Sequence, residues 1–151
     1  MDEQQTLDLL RRIRHDFGNH LQVMLGYIDL GKPDMSRQYM INLVNEMTAE
    51  RLIFDKTNPD AALYLYEQLL LSRDLGVILR YDEIQLESKQ LLMKNNEPLR
   101  SLEHFLGKCQ DPSRDEELVV YLEIYETEYG VDLLYSCENM EPSSILIEVR
   151  K

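Results

Sequence analysis

The sequence predicts an α+β protein: an N-terminal helical hairpin that pairs with a second copy as a dimeric four-helix bundle, followed by a small C-terminal α/β layer. Three observations lead there. Apolar residues keep a helical period through the first third, a Gly31-Lys32-Pro33 break folds that third in two, and three late segments carry strand signals.

In the first helix, over residues 7–28, Leu7, Leu10, Phe17, Leu21, Met24 and Ile28 alternate as a and d positions of a heptad, interrupted only by Arg14. Gly31 supplies a stop, Pro33 cannot continue the helix, and Asp34 or Ser36 can cap the next one. The second helix, from about 35 to 54, offers Met40, Leu43 or Val44, Met47 and Phe54 on one side. Arg37, Asn42, Asn45 and Glu46 are available for the other. Two such helices cannot bury both stripes against each other, whereas two hairpins about a twofold axis can, so a homodimer is expected.

Lys56-Thr57-Asn58-Pro59 marks a boundary, dividing the chain into residues 1–56 and 57–151. Asn58 is an N-cap and Pro59 the first residue of a third helix that Gly76 ends. Residues 77–81 form a short strand. A helix over 91–110 is expected to become regular only near Glu97, because Asn95-Asn96 and Pro98 disfavour an earlier start. After Asp111-Pro112-Ser113, strands are expected over 118–127, 131–136 and 145–149. Leu118, Val120, Leu122 and Ile124 alternate with Val119, Tyr121, Glu123 and Tyr125, the period of a sheet with one buried face. Tyr129-Gly130 is the tight antiparallel turn between the first two.

Composition narrows the function. The chain of 151 residues carries a formal charge of −12, with 9 acids and 7 bases in residues 1–59 against 19 and 9 in residues 60–151. Such a surface repels nucleic-acid backbones and anionic lipid, so neither nucleic acid nor membrane is an expected partner. No apolar run of membrane-spanning length and no signal segment are seen, which predicts a cytoplasmic protein. Cys109 and Cys137 stand far apart, outside any CxxC pattern, and read as reduced, partly buried side chains.

The residues most suited to chemistry form one run, Arg14-His15-Asp16-Phe17-Gly18-Asn19-His20-Leu21-Gln22, inside the first helix. His15 takes position b, just off the seam, with Arg11 and Arg12 before it and Gly18 and Asn19 after it at helical-neighbour spacing. Phosphoryl transfer asks a protein mainly for positioning and charge stabilisation. A neutral imidazole can attack phosphorus, guanidinium groups and the Asn19 amide can hold phosphate oxygens, and Gly18 leaves room for another protein to approach. Asp16 can orient the imidazole or take up its proton. Against this stands the plain alternative of a solvated helix with weak surface pairs. His20, about 140° round the helix from His15, cannot share a metal with it and belongs at the bundle seam. His104 beside Glu103 lacks partners at ligand spacing, so no metal and no bound cofactor are expected.

The run from Arg14 through Val23, continuing past Gly26 to Glu46-Met47, resembles the phosphoacceptor region of the sporulation initiation phosphotransferase B family. It is also similar to the matching region of citrate/malate-type sensor histidine kinases. Asn58-Pro59-Asp60-Ala61-Ala62 and Gly76-Val77-Ile78-Leu79-Arg80 are similar to the start of the C-terminal domain in both groups. The resemblance implies a C-terminal α/β sandwich that is a degenerate histidine-kinase ATPase domain. It also implies a phosphorelay between response-regulator receiver domains through a phosphohistidine at His15. Asp16 and Asn19 are then catalytic, and Arg11, Arg12, Arg14, Gly18 and Gln22 contact the phosphoryl group or the partner. Magnesium is expected on the receiver, not on this chain.

A kinase of this type needs an Asn-bearing helix and an Asp-x-Gly-x-Gly loop. Residues 99–108 hold no Asn, and Ser136-Cys137-Glu138-Asn139-Met140-Glu141-Pro142 replaces the glycine-rich loop. The reading is therefore a phosphotransferase. Its rivals are an ATP-dependent sensor-kinase fragment and a non-catalytic dimeric adaptor for a receiver domain.

Overall fold

The computed structural model describes residues 1–109, 117–138 and 143–151. The chain forms two compact units, Met1–Thr48 and Ala49–Lys151, and it is α+β: five helices and a four-stranded sheet among the described residues.

The first unit is built on α1 (Glu3–Asp29) and the greater part of α2 (Pro33–Lys56). Helix α1 starts at a reciprocal cap. The Asp2 carboxylate accepts from Gln5 N at 2.7 Å, and the Gln5 amide oxygen accepts from Asp2 N at 3.0 Å. At its other end Gly31 takes φ +72°, the left-handed conformation that lets Lys32 N reach back to Tyr27 O at 2.8 Å. Both helices run longer than the apolar periodicity alone indicates, and in α1 the polar cap sets the start at Glu3.

The faces that meet within the hairpin differ from the heptad stripe. On α1, Leu9 is buried and Ile13, Asp16, His20, Met24 and Tyr27 are half-buried. On α2, Ser36 is buried and Tyr39, Leu43 and Glu46 are half-buried. Leu43, not Val44, thus joins the α2 face that meets α1, and Glu46, assigned to the solvated side from the sequence, lies on that face too. Of the a and d residues only Met24 is partly covered; Leu7, Leu10, Phe17, Leu21 and Ile28 stay exposed, as do Met40, Val44 and Met47 on α2.

The second unit contains the end of α2, where Ile53 is fully buried and the Phe54 ring lies 5.3 Å from that of Tyr66. Asn58 caps α3 (Pro59–Asp74) through Ala61 N at 2.9 Å, and Gly76 at φ +80° leads into β1 (Val77–Gln85). The strand continues four residues beyond the expected 81. Asp82 is absorbed as a bulge between Tyr81 and Glu83, which returns Ile84 to the buried face.

The expected helix near 91–110 is two helices, α4 (Gln90–Lys94) and α5 (Leu99–Cys109), separated where Asn96 adopts φ +52°. Strands β2 (Leu118–Glu126), β3 (Gly130–Ser136) and β4 (Ser144–Arg150) follow. Sheet order is β1-β2-β3-β4, with β1 and β2 parallel and the rest antiparallel.

The predicted alternation in β2 holds, with Val120, Leu122 and Ile124 fully buried. With Val77, Leu79, Val131, Leu133 and Tyr135 they floor a core closed by α3 and by Leu92 and Leu102 of the shorter helices. Polar ties order this layer. Tyr81 Oη donates to Leu65 O at 2.8 Å, Tyr64 Oη to Glu97 O at 2.6 Å, and Leu99 N to Gln68 Oε1 at 2.9 Å. Cys137 is a buried free thiol. The Asp111-Pro112-Ser113 break, the Cys109 side chain and residues 139–142 of the β3–β4 connection lie outside the described residues.

Candidate functional site

Successive α-helical residues turn by about 100°, so the positions of α1 resolve into three faces. The face turned to α2 carries Leu9, Ile13, Asp16, His20 and Met24. Roughly 90° round from it runs the exposed apolar stripe of Leu7, Leu10, Phe17, Leu21 and Ile28. His15 stands about 130–140° from the centre of either face. It points outward, away from the centres of both faces.

The side chain of His15 is 73% exposed, and its Nδ1 lies 3.5 Å from Asp16 Oδ1. Asp16 in turn has its other oxygen 3.7 Å from Arg12 Nε, with both side chains about 30% exposed. A half-buried carboxylate is thus held between a guanidinium and the imidazole. It engages Nδ1 and leaves Nε2 free on the exposed side. At 3.5 Å the contact is loose.

Arg11, Gly18, Asn19 and Gln22 fall within about 60° of His15, on the outward face. Arg11, Asn19 and Gln22 are exposed, and Arg11 reaches back to Asp8 at 3.3 Å. A Cβ added at Gly18 would meet nothing within 4 Å, so the surface beside His15 is open. Arg14 is about 100° away, within the apolar stripe, and does not share the face of the imidazole.

His20 sits on the face turned to α2 rather than on the heptad stripe, with a partner that sequence reasoning missed. Its Nδ1 is 2.6 Å from Tyr39 Oη. The signal was present in the spacing of Ser36, Tyr39, Leu43 and Glu46, a second helical stripe on α2 hidden behind its more apolar Met-rich side.

In the second unit a cavity of about 450 Å³ opens between α5 and strands β3 and β4. Phe105 and Tyr135 stack at 6.4 Å there, and Glu97, Arg100, Ser101 and His104 complete one side. Glu97 is buried and accepts from the Ser101 hydroxyl at 2.8 Å. Among the described residues no group of three or more His, Cys, Asp and Glu is arranged to hold a metal ion. No helix of the described residues is long and apolar enough to cross a membrane.

The helical hairpin of residues 1–55 presents an imidazole on its outer face beside a carboxylate and leaves a second, apolar face exposed. Residues 1–55, about a third of the chain, match the family model of the sensor-kinase SpoOB-type, alpha-helical domain. No curated protein matches the chain.

Proposed function

We propose that the chain is a phosphorelay phosphotransferase carrying a phosphoryl group on His15 between response-regulator receiver domains. The observation that carries this reading is the pairing of a highly exposed His15 with the half-buried Asp16, which leaves Nε2 facing solvent.

The Nε2 lone pair attacks phosphorus of an aspartyl phosphate on the donor. An N–P bond forms as the P–O bond to the donor carboxylate breaks, and that carboxylate leaves as an anion. The imidazolium that results keeps its Nδ1 proton toward Asp16, which stabilises the charge. Transfer onward reverses the step at a second receiver's aspartate, with Nε2 as leaving group and no proton gained or lost overall. Arg11, Arg12, Asn19 and Gln22 line the approach and contact phosphate oxygens or the docked receiver. Magnesium enters with the receiver, whose acidic site supplies its oxygen ligands.

The exposed stripe of Leu7, Leu10, Phe17, Leu21 and Ile28, with Met40, Val44 and Met47, supports a homodimer closed as a four-helix bundle. Because His15 lies opposite both packing faces of α1, dimerisation leaves it accessible. The part of the chain after residue 56 is read as a degenerate ATPase-like domain. Its α5 supplies no Asn over residues 99–108, and an acidic surface is a poor host for nucleotide phosphates.

The test mixes the protein with a ³²P-labelled, aspartyl-phosphorylated receiver domain in one arm and with labelled ATP and magnesium in the other. Acid-labile label taken from the receiver alone and lost in His15→Ala is the expected result. Label from ATP would make the chain a kinase, and none from either donor would leave a receiver-binding adaptor.

A further inference from the structure

The second histidine of the Arg14 to Gln22 run has no part in the phosphate chemistry above, yet it is closely held. His20 is half-buried, its Nδ1 lies 2.6 Å from Tyr39 Oη, and the two rings stand 5.8 Å apart at a tilt of 52°. One proton is shared between the two groups, with either the hydroxyl donating to Nδ1 or Nδ1–H donating to the hydroxyl. One turn nearer the connection, the buried Ser36 hydroxyl donates to Met24 O at 3.0 Å. Residues three and four apart share a helix face, so Ser36 and Tyr39 on α2 meet Met24 and His20 on α1 along one seam. Two such ties resist both sliding and rotation of α1 against α2.

Rotation of α1 has a chemical consequence. Asp16 lies four residues before His20 and so on the same face. It is half-buried, and from there its carboxylate reaches sideways to Nδ1 of the exposed His15 at 3.5 Å. A turn of α1 relative to α2 would move Asp16 in or out of cover and with it the imidazole it touches. The Tyr39–His20 contact acts on the seam one turn from that carboxylate.

We propose that His20 and Tyr39 are positioning residues: their hydrogen bond sets the rotation of α1 at which Asp16 orients the His15 imidazole for phosphoryl transfer. The inference rests on the phosphocarrier reading of His15. It gives the two histidines of the run opposite roles, the exposed one as acceptor and the seam one as its rotational stop.

The test uses the full chain and three variants, Tyr39→Phe, His20→Asn and the double substitution, each checked for native helix content by circular dichroism. Tyr39→Phe keeps the ring and removes only the hydroxyl; if it does not fold, His20→Asn is read in its place. Two readouts are taken: the ¹⁵N and ¹H resonances of the His15 ring, which need no phosphoryl donor, and single-turnover transfer from a labelled receiver over a range of receiver concentrations. The expected result is shifted His15 resonances and a transfer rate at saturation lowered about five- to tenfold, a loss on the scale of one hydrogen bond. The half-saturating receiver concentration should stay constant, and the double variant should be no slower than the slower single one. Unmoved His15 resonances, or single losses that multiply in the double variant, would overturn the proposal. If the unaltered protein takes label from no receiver, the carrier reading fails by itself, and the His15 resonances alone decide whether the pair positions that ring.

Discussion

Leu21→Ala probes the open apolar face of α1 without touching the outward face of His15, from which it lies about 120° away. Leu21 is 48% exposed in the single chain, so roughly half of its apolar surface is left for a partner helix. Full burial of a leucine contributes about 1.5–3 kcal/mol, so the remaining half is worth on the order of 1 kcal/mol. Truncation also leaves a cavity in the assembled bundle, which raises the loss to about 1.5 kcal/mol per copy. A twofold axis counts the residue twice, for about 3 kcal/mol in all, or roughly a hundredfold in dimer Kd. Sedimentation equilibrium over a concentration series measures that Kd, and thermal melts at high concentration confirm that the fold survives. An unaltered protein that stays monomeric over the series, or a dimer Kd unmoved by Leu21→Ala, would refute the assignment of this stripe as the dimer seam.

Asp16→Asn keeps the shape of the side chain but removes the charge facing His15 Nδ1; transfer from a labelled receiver should slow by about ten- to a hundredfold while receiver binding by calorimetry is retained. Gly130→Ala should destabilise the second unit by about 2–4 kcal/mol, because the added Cβ would collide with the Val149 carbonyl at φ +157°, and chemical denaturation should show a lowered midpoint. Alkaline pH should unfold that unit early. Burial raises the hydroxyl pKa values of Tyr64, Tyr81 and Tyr135 above the ordinary 10.0, so stability is complete below about pH 10 and falls as pH rises toward their folded values, since only the unfolded chain ionises in that window. Denaturant melts at stepped pH measure the slope, and a stability flat through that range would contradict the burial of these hydroxyls.

The candidate site was legible in the sequence because it is local. His15, Asp16, Gly18 and Asn19 lie within five residues, and helical periodicity alone turns that spacing into a shared or adjoining face. The helix caps were legible for the same reason: Asn58 and Gly76 act on their own neighbours, and both mark the ends of α3 as expected. The boundaries that shifted depend on distant partners. Residues 82–85 lie beyond the strand expected over 77–81, yet they extend β1 because β2 supplies a parallel ladder and a bulge at Asp82 restores the buried register. The break before residue 100, by contrast, is local: Asn96 in the left-handed conformation ends α4 and α5 starts at Leu99, close to the start near Glu97 that Asn95-Asn96 and Pro98 indicated.

By itself the sequence determined the α+β class of the fold and the helical hairpin at its start, since both follow from period, punctuation and residues close along the chain. Tertiary structure alone decided which side of each hairpin helix turns inward. Helix α1 carries two candidate faces, and the more apolar one, the heptad stripe, is the one left open. The inward face is set by fit: a buried Ser36 hydroxyl finds the Met24 carbonyl and the Tyr39 hydroxyl finds His20. Such pairings cost little when both partners arrive together and much when either is buried alone. No periodicity of apolar residues records them, because the residues involved are polar and stand 12 and 19 positions apart.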